Sequence, residues 1–533
     1  VLRTRYAGVP APFLLPESHL LHPVLEPFVR RAGMRENPRG RGERLSVAIG
    51  TMDHEFRRGM RRYIRIYPDI AGYEAMTAHV PLSSGFVNGD VSFWYRSSGV
   101  PSPGPRLDAD LEADVVIVGA GYTGLWTAYY LKRARPSLRV VVLEQEFAGF
   151  GASGRNGGWL TGDLAGSHER YGQDARRLQR EMYASIDEVI AVCEREGIDA
   201  DLVKGGVVTV ARTPSQAARL RASVSSARAW GIGEDDLRLV EPGEHLRVAG
   251  TLAASWSPHC ARVQPAKLVQ GLARAVRGLG VTIHERTPVT EISPGRAITP
   301  YGTVTARHVI RATEGFTARL KGLRRQWLPM NSSMIVTEPL PPSFWDEVGW
   351  QGAELLGDMA HYYMYAQRTA DDRIAFGGRG RPYLYGSRVD TRGHTHEWTV
   401  EALWRLLLDF FPAARSSSVA HTWSGVLGVP RDWCSTVHVD PVTGLGWAGG
   451  YTGHGVTTAN LAGRTLRDLV LGERTELTSL PWVGRKVRAW EPEPLRWLGV
   501  HAMYRLYRVA DHRERSMPRT SALARFADLI TGH

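Results

Sequence analysis

The clearest pattern along the chain is a pair of short apolar runs. DVVIVG starts at Asp114 and RVVVLE ends at Glu144, with LWTAYYLKRA between them. Apolar runs without polar alternation predict strands buried on both faces, as in a parallel sheet. The intervening stretch has helical spacing and is ended by Pro136. Together these pieces predict a βαβ unit of about 30 residues.

The alternation of periods continues downstream. Residues 173–196 read as an amphipathic helix, VVTVAR and TLAASW as strands, and PAKLVQGLARAVRGLG as a helix opened by Pro and closed by Gly. VTIHERTPVTEI, TARHVIRAT and SSMIVTEPL predict further strands. HYYMYAQRTADDRIAFGG predicts two strands joined by a turn at Asp371–Asp372. EALWRLLLDFFP is a helix, and glycine-rich GLGWAGGYTGHGV leads into the helix TTANLAGRTLRDLVLG. No internal repeat is visible.

The flanks differ from this body. Residues 1–75 mix Pro, Gly and Arg with short apolar pieces and show no period. They are expected to be a poorly ordered extension, or one outside a natural start near Met76. Residues 76–113 read as a lead-in segment ending in the linker GVPSPGPR, and residues 476–533 as a basic C-terminal extension.

Composition changes this picture little. The 533 residues are 43% hydrophobic and 23% charged, as in ordinary globular proteins. Of the net charge of +12, five units fall in residues 1–75 and five in residues 481–533, leaving the body nearly neutral. Basic ends without a recognisable reading fold argue against nucleic acid. No apolar run is long enough to span a membrane. Cys193, Cys260 and Cys434 match no metal spacing, so neither a metal site nor a disulfide framework is expected. Sparse cysteines and no visible signal peptide point to the cytoplasm. Oligomeric state is not legible.

The candidate chemistry lies in glycine motifs. Gly119, Gly121 and Gly124 form a G-x-G-x-x-G that follows a strand and opens a helix. In that context the glycines allow a tight turn, close approach to a pyrophosphate, and close helix–strand packing. Glu144, 20 residues after Gly124, would accept from the ribose hydroxyls and disfavour a 2′-phosphate. Tyr122, Thr123 and Gln145 complete this set of candidate dinucleotide contacts. The motif alone suits NAD or FAD. The stretch GFGASGRNGG at 149–158, with Ser153, Arg155, Asn156, Gly157 and Gly158, would pass close under a bulky second ring system, which favours a flavin. Arg155 would meet phosphate or orient the turn.

These motifs resemble the glycine/D-amino-acid oxidase family of flavoproteins, and most of all its gamma-glutamylputrescine oxidase-like branch. The resemblance rests on DVVIVGAGYTGLWTAYYL, VVLEQEFAGFGASGRNGG, QPAKLVQGLARAVRGLGVTIHERTPVTEI, RIAFGGRG and GYTGHGV, across residues 90–475. It implies an α/β (α+β overall) fold, with a Rossmann-like FAD-binding domain interleaved with a mixed-sheet substrate domain. The expected partition is 114–205 with 264–320 and 420–475 for FAD, and 206–263 with 321–419 for substrate. The resemblance further implies that the Val289 backbone meets the adenine and that Thr313 lies where the chain returns to the dinucleotide. Gly450, Thr452, Gly453, His454 and Gly455 would form a turn before the last helix, whose N-terminus would stabilise charge on the reduced ring.

The implied reaction is oxidation of a C–N bond in an amine or amino acid, by hydride transfer to flavin N5 and imine hydrolysis, with oxygen or an electron carrier as acceptor. Alternation places His361, Tyr363, Tyr365 and Gln367 on one strand face, where aromatic rings could cradle an amine or simply pack a sheet. Trp423 and Tyr451 are further candidate pocket walls. His454 would contact the flavin or cap its turn, and Arg379 would bind a carboxylate or be solvated. Where sarcosine-oxidase-type relatives carry a lysine near the flavin, this chain has Ala375. Cys434 sits too close to GYTGHG for the covalent link of some relatives, so FAD is expected to be non-covalent. An NAD-dependent dehydrogenase and a flavin-binding relay subunit without turnover are the alternatives.

Overall fold

Val115, Val116, Ile117 and Val118 are all buried, and four consecutive apolar side chains can be covered only if both sheet faces are packed. The strand that carries them, Leu111–Val118, accordingly lies inside an eight-stranded sheet. It pairs in parallel with Val140–Leu143 on one side and Gly302–Arg311 on the other. Thr282–His284 and Leu445–Gly449 extend the parallel part, and Glu291–Ser293 and Arg296–Thr299 add an antiparallel meander. The computed structural model describes residues 80–378, 380–515 and 517–531. The expectations for residues 1–75 and for Arg379 lie outside the described residues.

The predicted helix runs Tyr122–Ala134 and leaves the carboxyl end of that central strand. It packs on the helix Gly455–Leu471, and a Cβ at Gly463 would stand 2.6 Å from Trp126 Cβ. Glycine there lets two helices far apart in sequence touch, which fixes both of their N-termini over one edge of the sheet.

A second, nine-stranded mixed sheet has the order Leu82–Asn88, Val419–Val429, Leu328–Thr337, Ile374–Gly378, Met364–Arg368, Leu355–Asp358, Val207–Ala211, Ala253–Ser257, Arg238–Val240. Two boundaries differ from the sequence reading. Residues 420–429 belong to this sheet, where they pair antiparallel with Leu328–Thr337, so the chain returns to the eight-stranded sheet only after Val429. The lead-in segment is also built into it, with Leu82–Asn88 running parallel to the Val419 strand.

The HYYMYAQR strand is shorter than alternation predicts. It begins at Met364, because the preceding amides bond to side chains instead of a ladder. His361 and Tyr362 donate to Asp511 Oδ1 and Oδ2 at 2.9 Å each, and Met364 N donates to Asp358 Oδ1 at 3.0 Å. His361 and Tyr363 therefore do not share a strand face with Tyr365 and Gln367. Among the described residues, no helix is long and apolar enough to cross a membrane.

Candidate active site

The first glycine motif makes a close-packed turn. Gly119 has φ +106°, and a Cβ there would lie 2.6 Å from Ala312 O. A Cβ on Gly124 would lie 1.9 Å from Gly119 O, so this glycine seats the helix on its strand and does not line the cavity. At the helix start, Tyr122 N donates to Ser153 Oγ at 2.8 Å, bringing the second glycine motif onto the first. Glu144 accepts from Ala120 N at 2.8 Å and Glu146 N at 3.0 Å. Burial nonetheless pushes its carboxyl up to about 7.

Arg155 serves the turn. It is buried and donates to Phe150 O and Thr391 O at 2.8 Å each, with its guanidinium 4.5 Å from the Phe150 ring centre. Burial lowers it to about 10. Three backbone carbonyls of the loop are held from outside by the lead-in segment. Trp94 Nε1 donates to Asn156 O at 2.7 Å, Ser92 Oγ to Gly154 O at 2.6 Å, and Tyr95 OH to Gly149 O at 3.0 Å. Asn156 closes the end of the loop by accepting from Gly158 N at 2.8 Å. Gly158 itself stays off the cavity wall. Gly157 brings this loop against the substrate-side sheet, since a Cβ there would lie 2.7 Å from the Tyr365 ring.

The third glycine motif is fixed by a residue that the sequence reading passed over. Glu314, in RATEG, accepts from Tyr451 N at 2.9 Å and Gly450 N at 3.3 Å. Burial raises it to about 7, while those amides, that of Gly428, and the Arg311 charge lower it. Its only sequence signal was an acid beside Thr313. Tyr451 OH and Thr123 Oγ1 lie 2.8 Å apart, joining the last turn to the first helix. His454 occupies the N-cap of Gly455–Leu471 with no side-chain capping bond, and it lines the cavity.

One cavity of about 1040 Å³ connects these parts. Around the first glycine motif it is walled by Gly119, Gly121, Tyr122, Thr123, Glu144 and Gln145, and Val289 and Thr313 also line it. Ser153, Arg155, Asn156 and Gly157 follow, then Tyr451 and the turn Thr452–Gly455. His361, Tyr363 and Tyr365 line its substrate side together with Trp159, Thr209 and Ser332. Besides Gly124 and Gly158, two more candidates are elsewhere. Trp423 is fully buried and donates to Arg155 O at 2.8 Å, so it supports the loop from behind. Gly450 packs against Pro430, which a Cβ would approach to 2.3 Å.

The model of the family described as FAD dependent oxidoreductase (DAO) matches residues 114–469. This chain belongs to the DAO family. It is 30% identical over 404 residues to gamma-glutamylputrescine oxidoreductase of Escherichia coli (strain K12), covering 72% of this chain and 89% of that protein. It is 28% identical to the probable oxidoreductase OrdL of Rhizobium meliloti (strain 1021), covering 76% and 92%. The fold is similar to that of glycine oxidase from Geobacillus kaustophilus, with TM-score 0.60 and 23% identity, covering 70% of this chain and 99% of that one. The chain is thus an FAD-dependent oxidoreductase acting on amines or amino acids, and the NAD-dependent and non-catalytic alternatives fall away.

The DAO-family cofactor fits the residues present. The close approach needs no Cβ at Gly121, where one would stand 2.9 Å from Ser153 Oγ. The first helix presents its N-terminus to the cavity, and Glu144 offers a buried acceptor beside it. Cys434 is buried off the cavity wall, and burial raises its thiol to about 11. Ala375 is buried with Trp94, Tyr95 and Trp423, and among the described residues no lysine lines the cavity.

Proposed function

We infer that the chain holds FAD non-covalently and oxidises the C–N bond of an amine, with a gamma-glutamylputrescine-like substrate favoured. The observation that carries this reading is the continuity of one cavity from Gly119 and Glu144 to Tyr365 and Trp159. When bound, FAD supplies the two-electron acceptor. Gly119, Gly121 and the helix N-terminus beyond them would hold its pyrophosphate, and Glu144 its ribose. The N-terminus of Gly455–Leu471 faces the same cavity, and its dipole favours negative charge there.

The chain's own work on the amine is positioning. Tyr365 and Trp159 meet edge to face with ring centres 6.3 Å apart, and Tyr365 OH lies 2.9 Å from Ser332 Oγ. This aromatic corner adjoins the Gly157 loop, which is where a reacting carbon must be placed. Aromatic faces attract a cationic amine as it enters. Several lining arginines are already committed, Arg155 to backbone carbonyls, Arg431 to Glu491 and Arg496 to Glu493. Arg170 and Arg319 line the cavity as well, and the choice of an amine over a small α-amino acid rests on sequence similarity. The 30% identity to gamma-glutamylputrescine oxidoreductase supports the same choice.

The test is an anaerobic titration of the purified yellow protein with gamma-glutamylputrescine, putrescine, sarcosine and D-amino acids. Faster bleaching by the first than by the others is the expected result, and bleaching only by α-amino acids would overturn the amine assignment. Readmitting air then reads the acceptor. With alanine at position 375, slow reoxidation by oxygen and faster reoxidation by an artificial carrier are expected.

A further inference from the structure

The family match ends at residue 469, yet the cavity does not end with it. The helix Leu495–Arg513 turns Arg496, Gly499, Val500, Met503, Tyr504 and Tyr507 toward it, a spacing that is one helical face. Asp528 and Thr531 of the last helix, Ala522–Thr531, line it as well. The pair is tied down from several sides. Asp511 accepts from the His361 and Tyr362 amides, Glu514 pairs with Arg219 and accepts from Ser521 N at 2.7 Å, and Tyr507 OH donates to Asp528 at 2.9 Å. His361 Nε2 lies 3.2 Å from a Glu514 oxygen, and its ring stacks on Tyr507. His361, Asp511 and Glu514 converge closely enough to hold a cation, but Glu514 is already neutralised by Arg219, and the cluster reads as the anchor of the cap.

Gly499 is the residue that packing does not explain. A glycine inside a helix is destabilising relative to alanine, and it is usually retained where a neighbour crowds its Cα. Here nothing lies within 4 Å of where a Cβ would be. Gly499 is exposed and also lines the cavity, so the open space beside it faces both solvent and the cavity. The walls around that space are mixed, with Met503 and Val500 offering apolar surface and Tyr507, Asp528 and Thr531 offering hydrogen-bonding groups.

We propose that these two C-terminal helices form the far wall of the amine chamber and select the distal half of the substrate, with Gly499 kept small so that an elongated amine with a polar far end can pass. This rests on the amine-oxidising reading above and extends it to substrate length. The aromatic corner at Tyr365 receives the reacting amine, the cap receives the chain beyond it, and a short amine reaches only the corner. A side chain at position 499 then costs long substrates more than short ones.

The experiment uses the full-length flavoprotein, its Gly499→Leu variant, and Leu498→Ala as a control on the same helix, since Leu498 is 44% exposed and does not line the cavity. Two readouts are taken. One is kcat/KM for gamma-glutamylputrescine relative to sarcosine. The other is the calorimetric Kd of gamma-glutamyl-n-butylamide, which has nearly the same length without the oxidisable amine. Gly499→Leu is expected to lower the long-to-short ratio about tenfold and to weaken the amide about tenfold, the low end of what one methylene in a pocket is worth, while Leu498→Ala changes neither. An unchanged ratio and an unchanged Kd in Gly499→Leu overturn the proposal and leave the amine reading standing. A wild-type flavin that no amine bleaches overturns the amine reading itself, and it is seen before any variant is made.

Discussion

The Glu314 carboxylate accepts the backbone N–H of Tyr451 at 2.9 Å, across 137 positions of sequence. This bond and its companion to Gly450 place the turn that starts the Gly455–Leu471 helix. Leaving a buried N–H unpaired costs about 1–3 kcal/mol. Glu314→Ala is therefore expected to weaken FAD binding by about ten- to a hundredfold, read from flavin fluorescence on dilution. Glu314→Gln, which keeps one acceptor oxygen, should fall between the two. Equal affinity in all three proteins would mean that the turn is set by other contacts.

Burial raises both Glu144 and Glu314 from 4.5 to about 7. The sign follows from proton counting. Between pH 4.5 and 7 the folded apoprotein keeps protons that the unfolded chain has released, so this stability is full below 4.5 and is lost as pH rises through 7. Apoprotein melting temperature is expected to fall over that interval and level off above it. Ribose hydroxyls that donate to Glu144 would favour its charged form, so FAD affinity should rise with pH through 7. In Glu144→Gln the rise should disappear. A wild-type affinity that is flat between pH 6 and 8 would remove Glu144 from the cofactor's contacts.

How much of this was legible depended on whether the chemistry was local in sequence. The βαβ unit could be read because DVVIVG, the spaced glycines and Glu144 all lie within one short stretch. Period reading also placed the helix Pro265–Gly278 and the strand Val207–Ala211 close to where they are. It failed where distant side chains take over backbone amides. His361 and Tyr363 look like a strand by alternation, but Asp511 captures the amides before the ladder can. Trp423 looks like a pocket wall, yet its indole is used by Arg155 O. The lead-in and C-terminal segments carry no motif, and their roles appear only when the fold brings Trp94 to Asn156 and Tyr507 to the cavity.

Trp94 gives the third prediction. Its indole N–H donates to Asn156 O at 2.7 Å, and its ring packs edge-on against Trp423 at 5.7 Å. Trp94→Phe keeps an aromatic ring and removes the donor. A hydrogen bond of this kind contributes about 0.5–1.5 kcal/mol, so FAD affinity should drop by about two- to tenfold with little change in folding. Ser92→Ala, which removes the neighbouring bond to Gly154 O, should act in the same direction. If both variants bind FAD as the wild type does, the lead-in segment supports the sheet and not the loop.

Tyr365 gives the last. It sits where the flavin-side loop and the substrate-side sheet meet, with Gly157 and Gly377 both too close to its ring to carry a Cβ. Its hydroxyl lies 2.9 Å from Ser332 Oγ. Tyr365→Phe removes that contact while keeping the ring and hence the packing of both glycines. FAD content should be unchanged, and the loss should appear in the amine. A role in binding raises KM by a few-fold at constant kcat, whereas a role in orienting the reacting carbon lowers kcat. Ser332→Ala should reproduce whichever change is seen, and the double variant should be no worse than either single one, because both remove the same contact. A double variant whose losses add would show that the two hydroxyls act separately on the substrate.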